Sequence, residues 1–316
     1  MSPPAGDLLR AAGADAESPH GGQADFVLVH GAVDVPGAGD PVDYTLSIPA
    51  VMRSPSLHAI VPGFGGIKRS SRGLRNALAG QEGVASLSFE PAREGGMLRD
   101  LFKAQQVHVD TLAAIFDDLP NNPRLADTPN AEQLDLSRTV LLPHSMGGLP
   151  ATERARLYPD ETQAVIYMGS VGLEASVMID YVRRVAMSAS HEVAGKYAQG
   201  KLVPGANRLH LAYRTARYYL SNPLRTLGEI GSCLAADIEQ PLRALGILGV
   251  ETGALYFGAD RLVPSHDSAL EAARAVIRHC EIMEGYGHLA PQRHPFEVAA
   301  RLGNISARLE EASLAA

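Results

Sequence analysis

The sequence predicts an α/β fold: a mostly parallel, eight-stranded sheet flanked by helices. Three observations predict it. Short β-branched and leucine-rich runs recur along the chain, and most are separated by segments of helical period, which calls for crossover connections. The first two runs lie close together, which suits an antiparallel start. Finally, Ser145, Asp260 and His288 each fall just past the end of such a run, at the edge where open α/β sheets bind their ligands.

Taken in order, residues 1–24 are rich in Ala, Gly, Pro and Ser. They lack a basic n-region and a long apolar stretch, so they read as a flexible leader rather than a signal peptide. Strands are expected at Phe26–His30, Tyr44–Ile48, Leu57–Val61, Val84–Phe89, Thr139–Leu142, Ala164–Met168, Ala254–Gly258 and Cys280–Met283. Leu101 to Asp118 reads as a helix, and Asn121 to Leu136, rich in Pro, Asn and Asp, as a loop. Residues 173–236 show helical spacing (Leu173, Val177, Met178, Tyr181, Val182, Val185; then Leu209, Ala212, Tyr213, Ala216) and no convincing strand. Inserted between the sixth and seventh strands, they predict a helical cap. The core is then 25–172 together with 237–316.

Bulk properties narrow the function. A 316-residue chain with 46% hydrophobic and 20% charged residues has the composition of a globular enzyme. A net charge of −7 argues against a nucleic-acid partner. No apolar run reaches the roughly 20 residues of a membrane span. Cys233 and Cys280 imply no disulfide framework, and Cys280, opening a core strand, is expected to be buried. No Cys/His cluster has metal-ligand spacing, so neither a metal nor any other cofactor is expected. These features, with the leader, point to the cytoplasm.

The chemistry concentrates in Thr139-Val-Leu-Leu-Pro-His-Ser-Met-Gly-Gly148. An apolar strand drives into a Gly-rich turn and a helix-forming segment, the layout of a nucleophile elbow that holds a serine hydroxyl at the top of a sheet. Gly147 relieves crowding at the turn. Met146 would offer its backbone N–H near a helix N-terminus, where partial positive charge favours an anion. Pro150 is tolerated in the first helical turn, which has no internal partner for the missing N–H. His144, beside the nucleophile, should point away from the hydroxyl and reads as packing. Pro143 stands where the usual pattern has a glycine.

A serine needs a base to take its proton, and the base needs an orienting acid. Gly258-Ala-Asp260 ends one strand and Gly285-Tyr-Gly-His288 follows the next. One helix and one strand separate the two residues, so both can return to the same edge. His294 and His266 are lesser rivals for the base. A second oxyanion donor is expected after an early strand. Gly63-Phe64-Gly65-Gly66 has little bulk to keep its backbone from a ligand, and the Phe64 N–H is the candidate. Lys68-Arg-Ser-Ser71 follows without P-loop spacing.

Four segments together resemble the α/β-hydrolase-fold serine hydrolases of the esterase and lipase type: Pro62-Gly-Phe-Gly-Gly66, Pro143-His-Ser-Met-Gly-Gly148, Gly258-Ala-Asp-Arg-Leu-Val-Pro264 and Gly285-Tyr-Gly-His288. The likeness covers most of residues 25 to 310, and Pro62 stands where the family often has His. It implies Ser145 as nucleophile, His288 as base, Asp260 as the acid, and an oxyanion hole from the Phe64 and Met146 N–H groups. The expected reaction is hydrolysis of a carboxylic ester or related acyl bond of a small to medium apolar molecule, with Met178, Tyr181 and Tyr213 of the cap as substrate-lining candidates. The same triad could serve carbon–carbon bond hydrolysis or acyl transfer. A non-catalytic ligand-binding protein of this fold is the alternative of another class.

Overall fold

The computed structural model describes residues 25–63, 68–90, 101–170, 239–263 and 276–314. Eight strands form one sheet: β1 (Phe26–Val33), β2 (Val42–Pro49), β3 (Ser54–Val61), β4 (Val84–Phe89), β5 (Asp135–Pro143), β6 (Thr162–Met168), β7 (Glu251–Phe257) and β8 (His279–Met283). Their order is β1-β2-β4-β3-β5-β6-β7-β8. β2 pairs antiparallel with both β1 and β4. Every later pairing is parallel. The strands from β3 to β8 therefore all deliver the chain to one edge where they end.

Helices α1 (Lys68–Ala77), α2 (Leu101–Asp118), α3 (Gly148–Leu157), α4 (Glu239–Ile247) and α5 (Pro295–Leu314) pack in two layers. Alternation along each strand sends neighbouring side chains to opposite faces. Leu57, Ala59, Val61, Leu141, Val165, Tyr167, Ala254 and Tyr256 meet Leu112 and Ile115 of α2, Leu149 and Ala155 of α3, and Leu242 and Leu245 of α4. Ile60, Val140, Leu142, Ile166, Met168, Leu255 and Phe257 meet Leu74 and Ala77 of α1 and Val298, Leu302, Ile305 and Leu309 of α5. Both faces are covered, as a parallel sheet requires.

A buried cation fastens α1 to the sheet. Arg75 Nε donates to Ser47 Oγ of β2 (2.9 Å) and one terminal nitrogen to Ser88 Oγ of β4 (3.0 Å). Ser86 Oγ donates in turn to the Arg75 carbonyl (2.7 Å). Burial, reinforced by Arg72, pushes the guanidinium down to about 10, so it stays charged at neutral pH with hydroxyl groups sharing its charge.

Two expectations are corrected. Residues 121–136 are not a plain loop: Pro123–Ala126 forms a helical turn, capped by Asn122 Oδ1 accepting the Arg124 N–H at 3.0 Å. Asn-Pro is a helix-start pair, with Asn accepting an orphan N–H and Pro preset for the first turn. Cys280 is half-buried rather than buried, because β8 is the edge strand and nothing pairs on its far side among the described residues. The leader at 1–24 and the cap at 173–236 lie outside the described residues. No helix among the described residues is long and apolar enough to cross a membrane.

Candidate active site

β5 ends at Pro143, and the chain turns at once. Ser145–Gly147 makes a single tight helical turn, and α3 begins at Gly148. Ser145 sits at φ +56°, in the left-handed region. That conformation costs a non-glycine residue about 1–2 kcal/mol and persists only where the surroundings impose it. Here the surroundings are backbone. The His144 N–H donates to the Val61 carbonyl (3.0 Å) and the Gly147 N–H to the His144 carbonyl (3.0 Å).

Two glycines make the turn sterically feasible. A Cβ on Gly147 would lie 2.4 Å from the Val61 oxygen, so only glycine lets the elbow press against the end of β3. A Cβ on Gly63, just past β3, would lie 2.7 Å from Ser145 Cβ and 3.3 Å from the Met146 nitrogen. The bare Gly63 backbone thus leaves open the space beside the Met146 N–H, at the positive end of α3.

Pro143, the departure from the usual glycine, fits for a reason visible in the pairing. β5 pairs with β6 through Leu141↔Val165. The pairing then lapses and resumes as an isolated bridge at His144↔Met168. Proline falls in that gap, where the ladder does not call on its missing N–H. Its carbonyl accepts the hydroxyl of the fully buried Ser170, just past β6 (3.0 Å).

The acid and the imidazole arrive from β7 and β8. The turn after β7 is closed by the Asp260 N–H donating to the Phe257 carbonyl (2.9 Å). It is tied to the next turn by Gly258 N–H to Met283 O and Ala259 N–H to Tyr286 O, both 2.9 Å. Asp260 Oδ1 accepts the N–H groups of Leu262 (2.8 Å) and Val263 (3.0 Å). Its other oxygen, Oδ2, accepts the His288 Nδ1–H at 2.7 Å. A carboxylate can only accept. The proton of a neutral His288 is therefore held on Nδ1, and Nε2 is left as the basic nitrogen. Both side chains are buried, as is Ser145.

His144 does more than fill space. Its Nε2–H donates to the backbone carbonyl of His288 at 2.9 Å. The two rings lie 4.8 Å apart between centroids, tilted by 35°. Burial, then the neighbouring His288, pushes His144 down to about 3, so it is neutral at physiological pH. No signal in the sequence announces this contact, because its acceptor is main chain. His294 is also buried, edge-on to Tyr286 with centroids 5.0 Å apart, and burial lowers its pKa. Its place is within the packing of the segment that leads into α5. Phe64, Met178, Tyr181, Tyr213 and His266 lie outside the described residues. Among the described residues no cluster of three or more His, Cys, Asp or Glu side chains could hold a metal ion.

No family model matches the chain, and no curated protein matches its sequence. Solved structures do match. A bacterial membrane phospholipase A, described as a virulence factor, aligns with a TM-score of 0.63 and 16% identity over 91% of this chain and 87% of that one. A thermophilic esterase from Thermogutta terrifontis aligns at 0.58 and 15%, over 89% and 99%. The 2-hydroxy-6-oxo-6-phenylhexa-2,4-dienoate hydrolase of Rhodococcus sp. strain RHA1 aligns at 0.60 and 15%, over 90% and 99%. At such identities the shared property is the architecture, on which these likenesses and the strand order agree: the chain has the α/β-hydrolase fold.

Proposed function

We propose that this chain is a serine hydrolase that cleaves a carboxylic ester, or a related acyl bond, of a small to medium apolar substrate. The observation that carries this reading is the hydrogen-bonded Asp260–His288 pair on the same sheet edge as Ser145, which the elbow holds at φ +56°. A serine hydroxyl is a weak nucleophile without such a base.

In the first step Ser145 Oγ bonds to the substrate carbonyl carbon while His288 Nε2 takes the hydroxyl proton. Asp260 stabilises the resulting imidazolium. The carbonyl oxygen becomes an oxyanion against the N–H groups of Met146 and Phe64. Each such donor is typically worth about 100–1,000-fold in rate. The tetrahedral intermediate collapses, and the leaving alcohol takes the proton from His288. Water then attacks the acyl carbon while His288 takes its proton, the bond to Ser145 Oγ breaks, His288 returns the proton to that oxygen, and the carboxylic acid departs. The preference for a modest apolar acyl group rests on the apolar helical spacing of residues 173–236, including Met178, Tyr181 and Tyr213.

The test is covalent labelling with a fluorophosphonate probe, followed by peptide mapping. Label on Ser145, absent in Ser145→Ala, is expected. Folded protein that carries no label at Ser145 refutes the reading. A series of p-nitrophenyl esters of increasing chain length then measures acyl preference.

A further inference from the structure

We propose that His144 is a positioning residue that clamps the loop carrying the base onto the nucleophile elbow. The inference rests on the serine-hydrolase reading and deepens it. Among the described residues, two hydrogen bonds hold His288 at opposite parts of the residue. Its side chain is held by Asp260 at Nδ1, which sets the tautomer. Its main chain is held by the His144 Nε2–H at the carbonyl oxygen.

The second anchor matters because of where His288 sits. It follows a turn containing Gly285, at φ +78°, and Gly287, and no strand ladder holds it. The hydrogen bond to Asp260 alone would let the imidazole pivot about the Nδ1–Oδ2 line, sweeping Nε2 away from Ser145. The clamp at the carbonyl, with the tilted ring contact at 4.8 Å, removes that freedom. His144 also directly precedes Ser145 in a backbone pinned to Val61. Nucleophile and base loop are thereby referred to one rigid element, the end of β5. A neutral His144 suits this role, because it donates through Nε2–H without placing a second cation beside the imidazolium that forms on His288.

The experiment compares His144→Gln with His144→Met, side chains of similar size of which only Gln carries an N–H donor. Asn and Leu form a second such pair should one of the first fail to fold, with folding checked by thermal unfolding. Kinetics on a p-nitrophenyl ester and the rate of fluorophosphonate labelling at Ser145 are the readouts. Met is expected to lower kcat and the labelling rate by about 10–100-fold, the scale of a misplaced catalytic group, with KM little changed. Gln is expected to recover most of that loss. Equal rates for the donor and non-donor variants, or a loss confined to KM, overturn the clamp while leaving a labelled wild-type Ser145 intact. A wild-type protein unlabelled at Ser145 overturns the parent reading and the clamp with it.

Discussion

Replacing Asp260 with Asn separates catalysis from stability at this site. The direction the new amide faces is set by the turn. Leu262 and Val263 present two N–H donors to one side of the group, at 2.8 and 3.0 Å. Only the amide oxygen can accept them, so the NH2 is turned toward His288. There it meets Nδ1, which in the parent protein carries a proton and donates. Two donors cannot share a hydrogen bond, so His288 moves its proton to Nε2. On the proposed mechanism, the nitrogen that accepts the Ser145 proton then already holds one. In the serine-protease triad this change of tautomer lowers kcat by about ten-thousandfold, or about 5 kcal/mol at 1.36 kcal/mol per factor of ten, and a loss of that order is expected here. The fold is retained: the turn keeps both backbone bonds, and the three hydrogen bonds to the group, from Leu262, Val263 and His288, change from charged to neutral ones at roughly 1 kcal/mol each. Ester hydrolysis and thermal unfolding, measured on the same preparation, distinguish the two effects. A kcat reduced less than tenfold, or reduced only in proportion to the fraction unfolded, would refute the reasoning.

Two further outcomes follow from the geometry. Gly147→Ala brings a Cβ to 2.4 Å from the Val61 carbonyl oxygen, and neither partner can rotate away, so a loss of at least about 1–3 kcal/mol is expected in chemical denaturation; unchanged stability would show that the elbow is not packed as described. The second outcome concerns acid: burial lowers His58 to about 4 and His144 to about 3 from an ordinary 6.5. The unfolded chain therefore binds more protons than the folded one below about 6.5, and stability should fall as pH drops from 7 toward 4, by up to about 1.4 kcal/mol per pH unit for each histidine. Denaturation curves of His58→Gln, compared with wild type from pH 7 to 4, should show a shallower fall; parallel curves would exclude His58 as a source.

The strands are legible in the sequence because each is a short apolar run closed by turn residues, the form a strand buried on both faces must take. Their polar beginnings are not. β5 starts at Asp135 rather than Thr139, because backbone pairing such as Ser56↔Asp135 asks nothing of the side chains. Strand order is also hidden. Proximity in sequence suggests β2 beside β3, yet β4 lies between them. That outcome is fixed by how α1 packs back on the sheet, through contacts such as Arg75 with Ser47 and Ser88, which no local pattern encodes.

The candidate site divides along the same line. A nucleophile, an acid and a base each demand a particular residue type, so Ser145, Asp260 and His288 are singled out by spacing and chemistry, and the structure places each past a strand end, with Asp260 and His288 hydrogen-bonded. What aligns them is largely main chain. Val61 O holds the His144 N–H, Pro143 O accepts Ser170, Met283 O and Tyr286 O bind the acid turn, and His288 O accepts His144. A backbone acceptor exists at every residue, so an anchor of this kind leaves no mark at its far end and only an ambiguous one at the near end. His144 is the clearest case. A buried histidine next to Ser145 looks like packing until its Nε2 is seen to reach a carbonyl 144 positions away. Pro143 is the converse: an apparent violation of the elbow pattern that becomes ordinary once the ladder is seen to skip its nitrogen. The residue types proposed for the chemistry are therefore open to sequence reasoning, while the contacts that set the geometry of the site depend on which carbonyls the fold brings within about 3 Å.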